Sequence, residues 1–338
     1  MSSDTLDRLK SPALKGQKLA LTPALGIALL AWWGLVALMV FWPDKPVGFA
    51  TPRFVGETHR LFALFSALLT VAVLLGLVVQ WRWLFSPLQR AARWLVALAV
   101  LIAIWETVTA KLALLPAPFF APPRALVEAY ATDWYRLGDS VLNSLRLLAL
   151  GFIFGSISGF VTGVAIGWSR GLGYWVHPIL RFLGPVPSTA LLPLSLYFFP
   201  SSFSAAIFLI ALATWFPVTV LTWSGVSSVD SRYYDVARTL GASNVFLILR
   251  VAVPASLPHV FVGLFMGLGA SFSVLVAAEM MGVKSGLGWY LQWAQGWAAY
   301  ANMYGALIVM ALLFSSLITL LFAVRDRVLA WQQSAVKW

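Results

Sequence analysis

Residues 235–260 read DVARTLGASNVFLILRVAVPASLPHV, and they interrupt a chain otherwise built of long apolar runs. Asp230 or Ser231 supplies an N-cap just before the stretch, and Gly241 stands where a helix ends in the left-handed conformation glycine tolerates. Between them Tyr233, Val236, Ala237 and Leu240 fall at i, i+3, i+4 and i+7, one apolar stripe on an element too short to cross a bilayer. Ser243 caps a second short helix carrying Val245, Phe246, Ile248 and Leu249, which the sequence expects to stop before Pro254. The stripe has to be buried on something. The residues leave two answers open, the chain's own bundle or a partner.

The surroundings fix the class. Of 338 residues, 61% are hydrophobic and 10% charged, against about 45–50% and about 25% in soluble domains. Mean hydropathy is +0.86, and the 17 Trp suit a chain with two bilayer interfaces. A spanning helix needs about 20 apolar residues, because about 30 Å of hydrocarbon is crossed at about 1.5 Å per residue. Eight segments qualify: 24–42, 61–81, 94–115, 141–168, 178–198, 204–225, 258–281 and 301–324. The expected fold is an all-α polytopic transmembrane bundle. Arg8, Lys10, Lys15 and Lys18 precede the first span like the basic start of a signal peptide, but the apolar run is long and a second span soon follows. It is expected to be an uncleaved anchor.

Net charge is +11. With the N-terminus inside, 15 Lys and Arg fall in inner loops and 6 in outer ones, which places both termini and the interval 226–257 in the cytoplasm. The excess charge therefore belongs to cytoplasmic loops. Nucleic acid is not expected, since no basic run is interleaved with stacking aromatics. Cysteine is absent, His59, His177 and His259 are scattered, and no phosphate-binding G-x-x-x-x-G-K-[ST] loop occurs. No catalytic residue, metal site or cofactor is expected, and the chain is not expected to be an enzyme.

The basic, aromatic loop WRWLFSPLQRAARW (81–94) is the expected boundary between an N-terminal extension, 1–92, with two spans, and a core, 93–338. Residues 116–140, proline-rich and then amphipathic, are expected along the outer surface. Residues 282–300, with Gly, Trp and Tyr in place of charge, are expected to be interfacial or re-entrant. At membrane depth Glu106, Lys111 and Glu279 are costly, so the two carboxylates are candidates for the translocation path. Against that, Glu106 and Lys111 are close enough for a loose pair, and Glu279 near enough to the outer surface to be wetted. Pro185, Pro187 and Pro193 break up the fifth span in GPVPSTALLPL (184–194), and irregular backbone at depth suits a cavity wall. The glycines of GFIFGSISGFVTGVAIG (151–167) allow close helix contact, within the bundle or at a dimer seam.

The opening stretch resembles the EAA loop of membrane subunits of bacterial ABC importers, Glu-Ala-Ala, three residues, Gly, nine residues, then Ile-x-Leu-Pro. Here it reads Asp235-Val236-Ala237, three residues, Gly241, residues 242–250, then Val251-Ala252-Val253-Pro254. The likeness is closest to the nitrate, taurine/alkanesulfonate and bicarbonate permeases and covers roughly residues 93–338. It is carried also by Trp105-Glu106, Leu115-Pro116, Ala121-Pro122-Pro123, Asn143-Ser144-Leu145-Arg146, Gly184-Pro185-Val186-Pro187, Leu192-Pro193-Leu194, Ala278-Glu279 and Gly286-Leu287-Gly288. The two leading spans lie outside it.

The resemblance implies a six-span type I importer permease core in a bacterial inner membrane. It implies a coupling loop at 228–258 seated on a cytoplasmic ATP-binding subunit, two of which serve a pair of permeases, and a periplasmic or lipid-anchored solute-binding protein. Gly241 would make the turn, Asp235 and Arg238 polar contacts, and Tyr233, Ala237 and Leu240 the buried face, with Pro254 closing the loop. The implied solute is a small anion. A transporter or channel working without ATP is the alternative, and it would be expected to show more buried ionisable groups or an inverted repeat.

Overall fold

The computed structural model describes residues 21–45, 55–80, 82–115 and 118–332. The basic residues ahead of the first span, together with Arg53, Pro116 and Lys337, lie outside them. All regular structure among the described residues is helical. Seven helical segments are long and apolar enough to cross a membrane, and an eighth is reached only by counting a bent pair as one span. The chain divides into two compact units, Met1–Thr132 and Asp133–Trp338.

The first unit contains α1 (Pro23–Phe41), α2 (Val55–Val78) and α3 (Arg82–Glu106), the last prolonged by a π turn, Thr107–Lys111. Trp32, Leu35 and Met39, at i, i+3 and i+7, pack on Leu69 and Ala99. The stretch 81–94, expected as a connecting loop, is helical from Arg82 onward. The reason is its own periodicity. Phe85, Leu88 and Ala92 fall at i, i+3 and i+7 and close a second cluster with Leu25 and Val73, enough to carry the helix past Pro87.

The second unit is organised by α4 (Pro123–Trp168) and α7 (Ser202–Ser227). Gly151, Gly155, Gly159, Gly163 and Gly167 recur every fourth residue and lie against α7. A Cβ on Gly159 would stand 2.8 Å from the Trp215 carbonyl oxygen, on Gly163 2.5 Å from Thr222 Cβ, and on Gly167 2.7 Å from Val226 Cβ. The glycine stripe is thus consumed within the chain. Lipid is as apolar as leucine, so helices in a bilayer gain little from hiding apolar area and rely on such close backbone approach. Within 116–140, α4 begins at Pro123 and is kinked at Asp133 (φ −113°, ψ 15°), where one helical piece gives way to the next.

The expected span 178–198 is broken. It consists of α5 (Arg170–Leu183) and a second piece, a 3-10 turn Ser188–Leu191 leading into α6 (Leu192–Phe198), bent by 89°. Pro185 and Pro187 remove two amide donors, so the ladder stops at Gly184, which itself keeps helical φ/ψ. The expected helix stop before Pro254 is absent. After α8 (Ser231–Thr239), a single turn, Asn244–Phe246, passes through a π turn, Leu247–Ala252, into α9 (Val253–Met281) as one segment. The π turn resets the backbone so that Pro254 takes the second position of a renewed helix, where proline fits. Two helices follow, α10 (Leu287–Gly296) and α11 (Tyr300–Val328).

Candidate functional site

Three places answer to the sequence expectations: the loop around Gly241, the broken span around Pro187, and the buried carboxylates.

In the loop, Asp230 caps α8 by accepting from the Arg232 amide, and Ser243 caps the following turn by accepting from the Phe246 amide at 3.3 Å. Arg232 also donates to the Asp230 carboxylate at 2.6 Å and holds its pKa below the usual carboxylate value. Gly241 has φ +83°. Its amide donates to the Arg238 carbonyl at 2.9 Å and the Ala242 amide to the Ala237 carbonyl at 3.0 Å, the paired bonds of a glycine-terminated helix end. Asp235 and Arg238 are exposed and 3.7 Å apart.

The expected stripe is divided. Tyr234, which the sequence reading passed over, turns toward the bundle and meets Trp168 edge-on at 5.7 Å, and Ala237 on the same side is half-buried. Tyr233 (67% exposed), Val236 (62%) and Leu240 (83%) stay open, and Val245, Phe246 and Leu249 extend the open apolar surface beyond the turn. The signal for Tyr234 was its place three residues before Ala237, on the same helix face.

The segment 183–191 lines a cavity of about 400 Å³ with Leu212, Trp215, Phe216, Met266, Ala270 and Ser273. Pro187 is in its wall, while Pro185 and Pro193 shape the backbone on either side. Among the described residues no ionisable one lines it; its polar groups include the hydroxyls of Ser188, Thr189 and Ser273. Glu279 is not among its lining residues.

Glu279 is fully buried rather than wetted. Ser144 donates to its Oε1 at 2.6 Å, the Gly288 amide donates to its Oε2 at 2.8 Å, and the Leu287 amide donates to Ser144 Oγ at 2.8 Å. The carboxylate therefore holds the first turn of α10, where free amides point at it. Gly286 (φ +126°) and Gly288 make room: a Cβ on Gly288 would stand 2.6 Å from the Val276 carbonyl oxygen. Close by, Tyr290 donates to Asp133 at 3.0 Å and Asn302 donates to both; burial pushes the Tyr290 hydroxyl up to about 12.

Glu106 is fully buried in the first unit. Arg124 Nε lies 2.9 Å from its Oε1 and donates through its other arm to Asp44 at 2.5 Å. Lys111 pairs with Asp44 at 2.9 Å and donates to the carbonyls of Met39 and Trp42. The expected loose pair of Glu106 and Lys111 is replaced by a four-member network in which Asp44 joins the two cations. Although burial works against it, Asp44 is held below the usual carboxylate range by hydrogen bonds from Lys111 and Arg124.

Residues 151–331 match the family described as binding-protein-dependent transport system inner membrane component. Over 242 residues the chain is 34% identical to a probable ABC transporter permease protein of Brucella abortus, covering 71% of this chain and 96% of that protein. It is 32% identical over 265 residues to the taurine transport system permease protein TauC of Escherichia coli, covering 75% and 94%. It is 29% identical over 262 residues to the nitrate import permease protein NrtB of Synechococcus elongatus, covering 74% and 91%.

Proposed function

The chain belongs to the family of binding-protein-dependent transport inner membrane components, and from that premise we propose that it carries a small oxyanion inward, driven by a cytoplasmic ATPase docked on the loop 228–258. One observation carries the docking: Tyr233, Val236, Leu240, Val245, Phe246 and Leu249 form an open apolar surface around a fixed glycine turn. Such a surface at the water-facing end of a membrane helix pair marks a protein contact. Asp235 and Arg238 flank it as polar rim, and Ala237 and Pro254 set the helix on the bundle. The chain has one such loop, so two ATP-binding subunits call for two permeases, here a homodimer with both termini in the cytoplasm.

The path is the cavity at Pro187, completed by the second copy, with Pro185 and Pro193 fixing the break that opens it. Glu279 serves the path at one remove by holding α10 at the outer mouth, where a solute-binding protein delivers; Glu106 holds residues 93–124 of the core in register with the extension 1–92. The hydroxyl-lined, uncharged cavity suits a weakly hydrated anion such as nitrate or a sulfonate, the solutes named for the relatives.

Gentle detergent purification of the tagged chain from its own host tests the docking. A phosphate-loop ATPase should co-purify with the unaltered chain and be lost with Leu240→Asp or Gly241→Val, while both variants remain in the membrane. The valine resists φ > 0, although nothing crowds it. A chain that comes out alone under mild conditions, or normal uptake by Gly241→Val, sinks the reading.

A further inference from the structure

One face of α5 is used neither by the loop nor by the central cavity. Arg170, Tyr174, His177 and Arg181 fall at i, i+4, i+7 and i+11 and share a stripe, with the two arginines about 16 Å apart along the axis. With Trp223 and Ser227 of α7 they line a second cavity of about 600 Å³. The opposite stripe, Leu172, Trp175, Ile179 and Phe182, is apolar and exposed. The helix thus turns its apolar side outward and its basic side into a cavity.

Position along α7 matters next. Gly167 abuts Val226 near the end of α7, and Gly184 abuts Phe216, fifteenth of its 26 residues. So α5 climbs beside α7 from the Ser227 end toward the middle of the span. Its basic stripe ends two residues before the wall of the central cavity, which begins at Leu183. Neither Arg170 nor Arg181 is ion-paired among the described residues, and no carboxylate lines the cavity. An unpaired guanidinium at membrane depth is costly unless it faces water. His177 donates through Nδ1 to the Gly173 carbonyl at 2.5 Å and stands edge-on to Trp223 at 4.4 Å, which leaves Nε2 as its uncommitted nitrogen.

We propose that this stripe is the cytoplasmic vestibule of the path and binds the departing oxyanion through Arg170, Arg181 and His177. The inference rests on the import reading and on placing the Ser227 end in the cytoplasm. The solute leaves a neutral, hydroxyl-lined waist and meets its first fixed cations here. Guanidinium forks match oxyanion geometry, and a walled cavity of one sign concentrates counter-charge. A lipid phosphate has the same chemistry, so the test must separate the two sources.

The chain has no cysteine, so Ser227→Cys places a single thiol in the permease at the cavity wall. In the intact complex, in vesicles of zwitterionic lipid, the mass shift of the permease gives its rate of modification by anionic and cationic methanethiosulfonates. The anionic reagent should react faster by about tenfold or more. Adding Arg170→Gln and Arg181→Gln should abolish the preference, Arg181→Lys should keep it, and nitrate or ethanesulfonate should slow the anionic reaction. Equal rates, or a preference untouched by the double glutamine change, overturn the vestibule. Protection by added phosphatidylglycerol but not by either free anion assigns the arginines to lipid and overturns it as well. If the preference and its protection stand while ATP drives no uptake of either anion, the import reading fails and the anion site survives.

Discussion

Glu106 and Glu279 look alike in sequence, each a lone carboxylate late in an apolar span, and the structure solves the cost of burying them in opposite ways. Around Glu106 the answer is charge: two carboxylates and two cations, Asp44, Glu106, Lys111 and Arg124, with both Glu106 oxygens left without a hydrogen bond among the described residues and held by the ion pair to Arg124. Around Glu279 the answer is dipoles: a hydroxyl, a backbone amide and the start of α10, with no cation in hydrogen-bond contact among the described residues. The first arrangement depends on every partner keeping its charge. The second depends on shape, since two glycines must stay bare for the amides to reach.

The contrast ranks the effects of substitution. Glu106→Gln leaves a buried net positive charge and should cost the most, about 3–5 kcal/mol, read as a fall in melting temperature in detergent. Adding Arg124→Gln should recover part of it; a double variant no better than the single would show that the charges do not act as a set. Gly288→Val should follow at about 2–3 kcal/mol, because its side chain meets the Val276 carbonyl and Glu279 Cβ with no flexible neighbour to yield. Glu279→Gln keeps the shape and strands no cation, so about 1–2 kcal/mol is expected. If it proved as costly as Glu106→Gln, the distinction between the two sites would be broken.

Tyr290→Phe gives the smallest effect, about 1 kcal/mol, and a pH signature. Its folded pKa, about 12, lies above the ordinary value of 10.0. The stabilisation from the neutral hydroxyl is therefore fully present below the unfolded value and is lost as pH rises through the folded one. The stability gap between the two proteins should be constant up to about pH 10, close soon above it and reverse by about pH 12. A gap independent of pH over that range would show that Tyr290 does not titrate differently on folding.

The stretches that carried the resemblance are scattered in sequence, yet in the structure they meet. Ser144, Glu279 and Gly288 form one node, and Trp105 donates to the Ala121 carbonyl at 3.1 Å beside the Glu106–Arg124 pair. Glu106 and Glu279 were legible as singular residues because burial of charge is costly anywhere in a bilayer. Their partners were not, since Asp44 lies 62 positions from Glu106 and Ser144 lies 135 from Glu279, and spacing along the chain says nothing about such pairs. The basic stripe of α5 was counted as inner-loop charge, for a residue tally cannot tell a guanidinium in a loop from one facing a cavity.

What the sequence determined by itself is what depends on neighbours one or two helical turns away. The number of apolar runs, the caps at Asp230 and Ser243, the left-handed Gly241 and the proline break after Gly184 are all set by local backbone chemistry and helix period. Tertiary structure decided the rest. It made one helix of residues 82–94 by giving Phe85 a partner, turned Tyr234 inward and Leu240 outward, and spent the five-glycine stripe on α7 rather than on a second copy. Those outcomes depend on which surfaces come within a few ångströms of each other, and only the folded chain sets that distance.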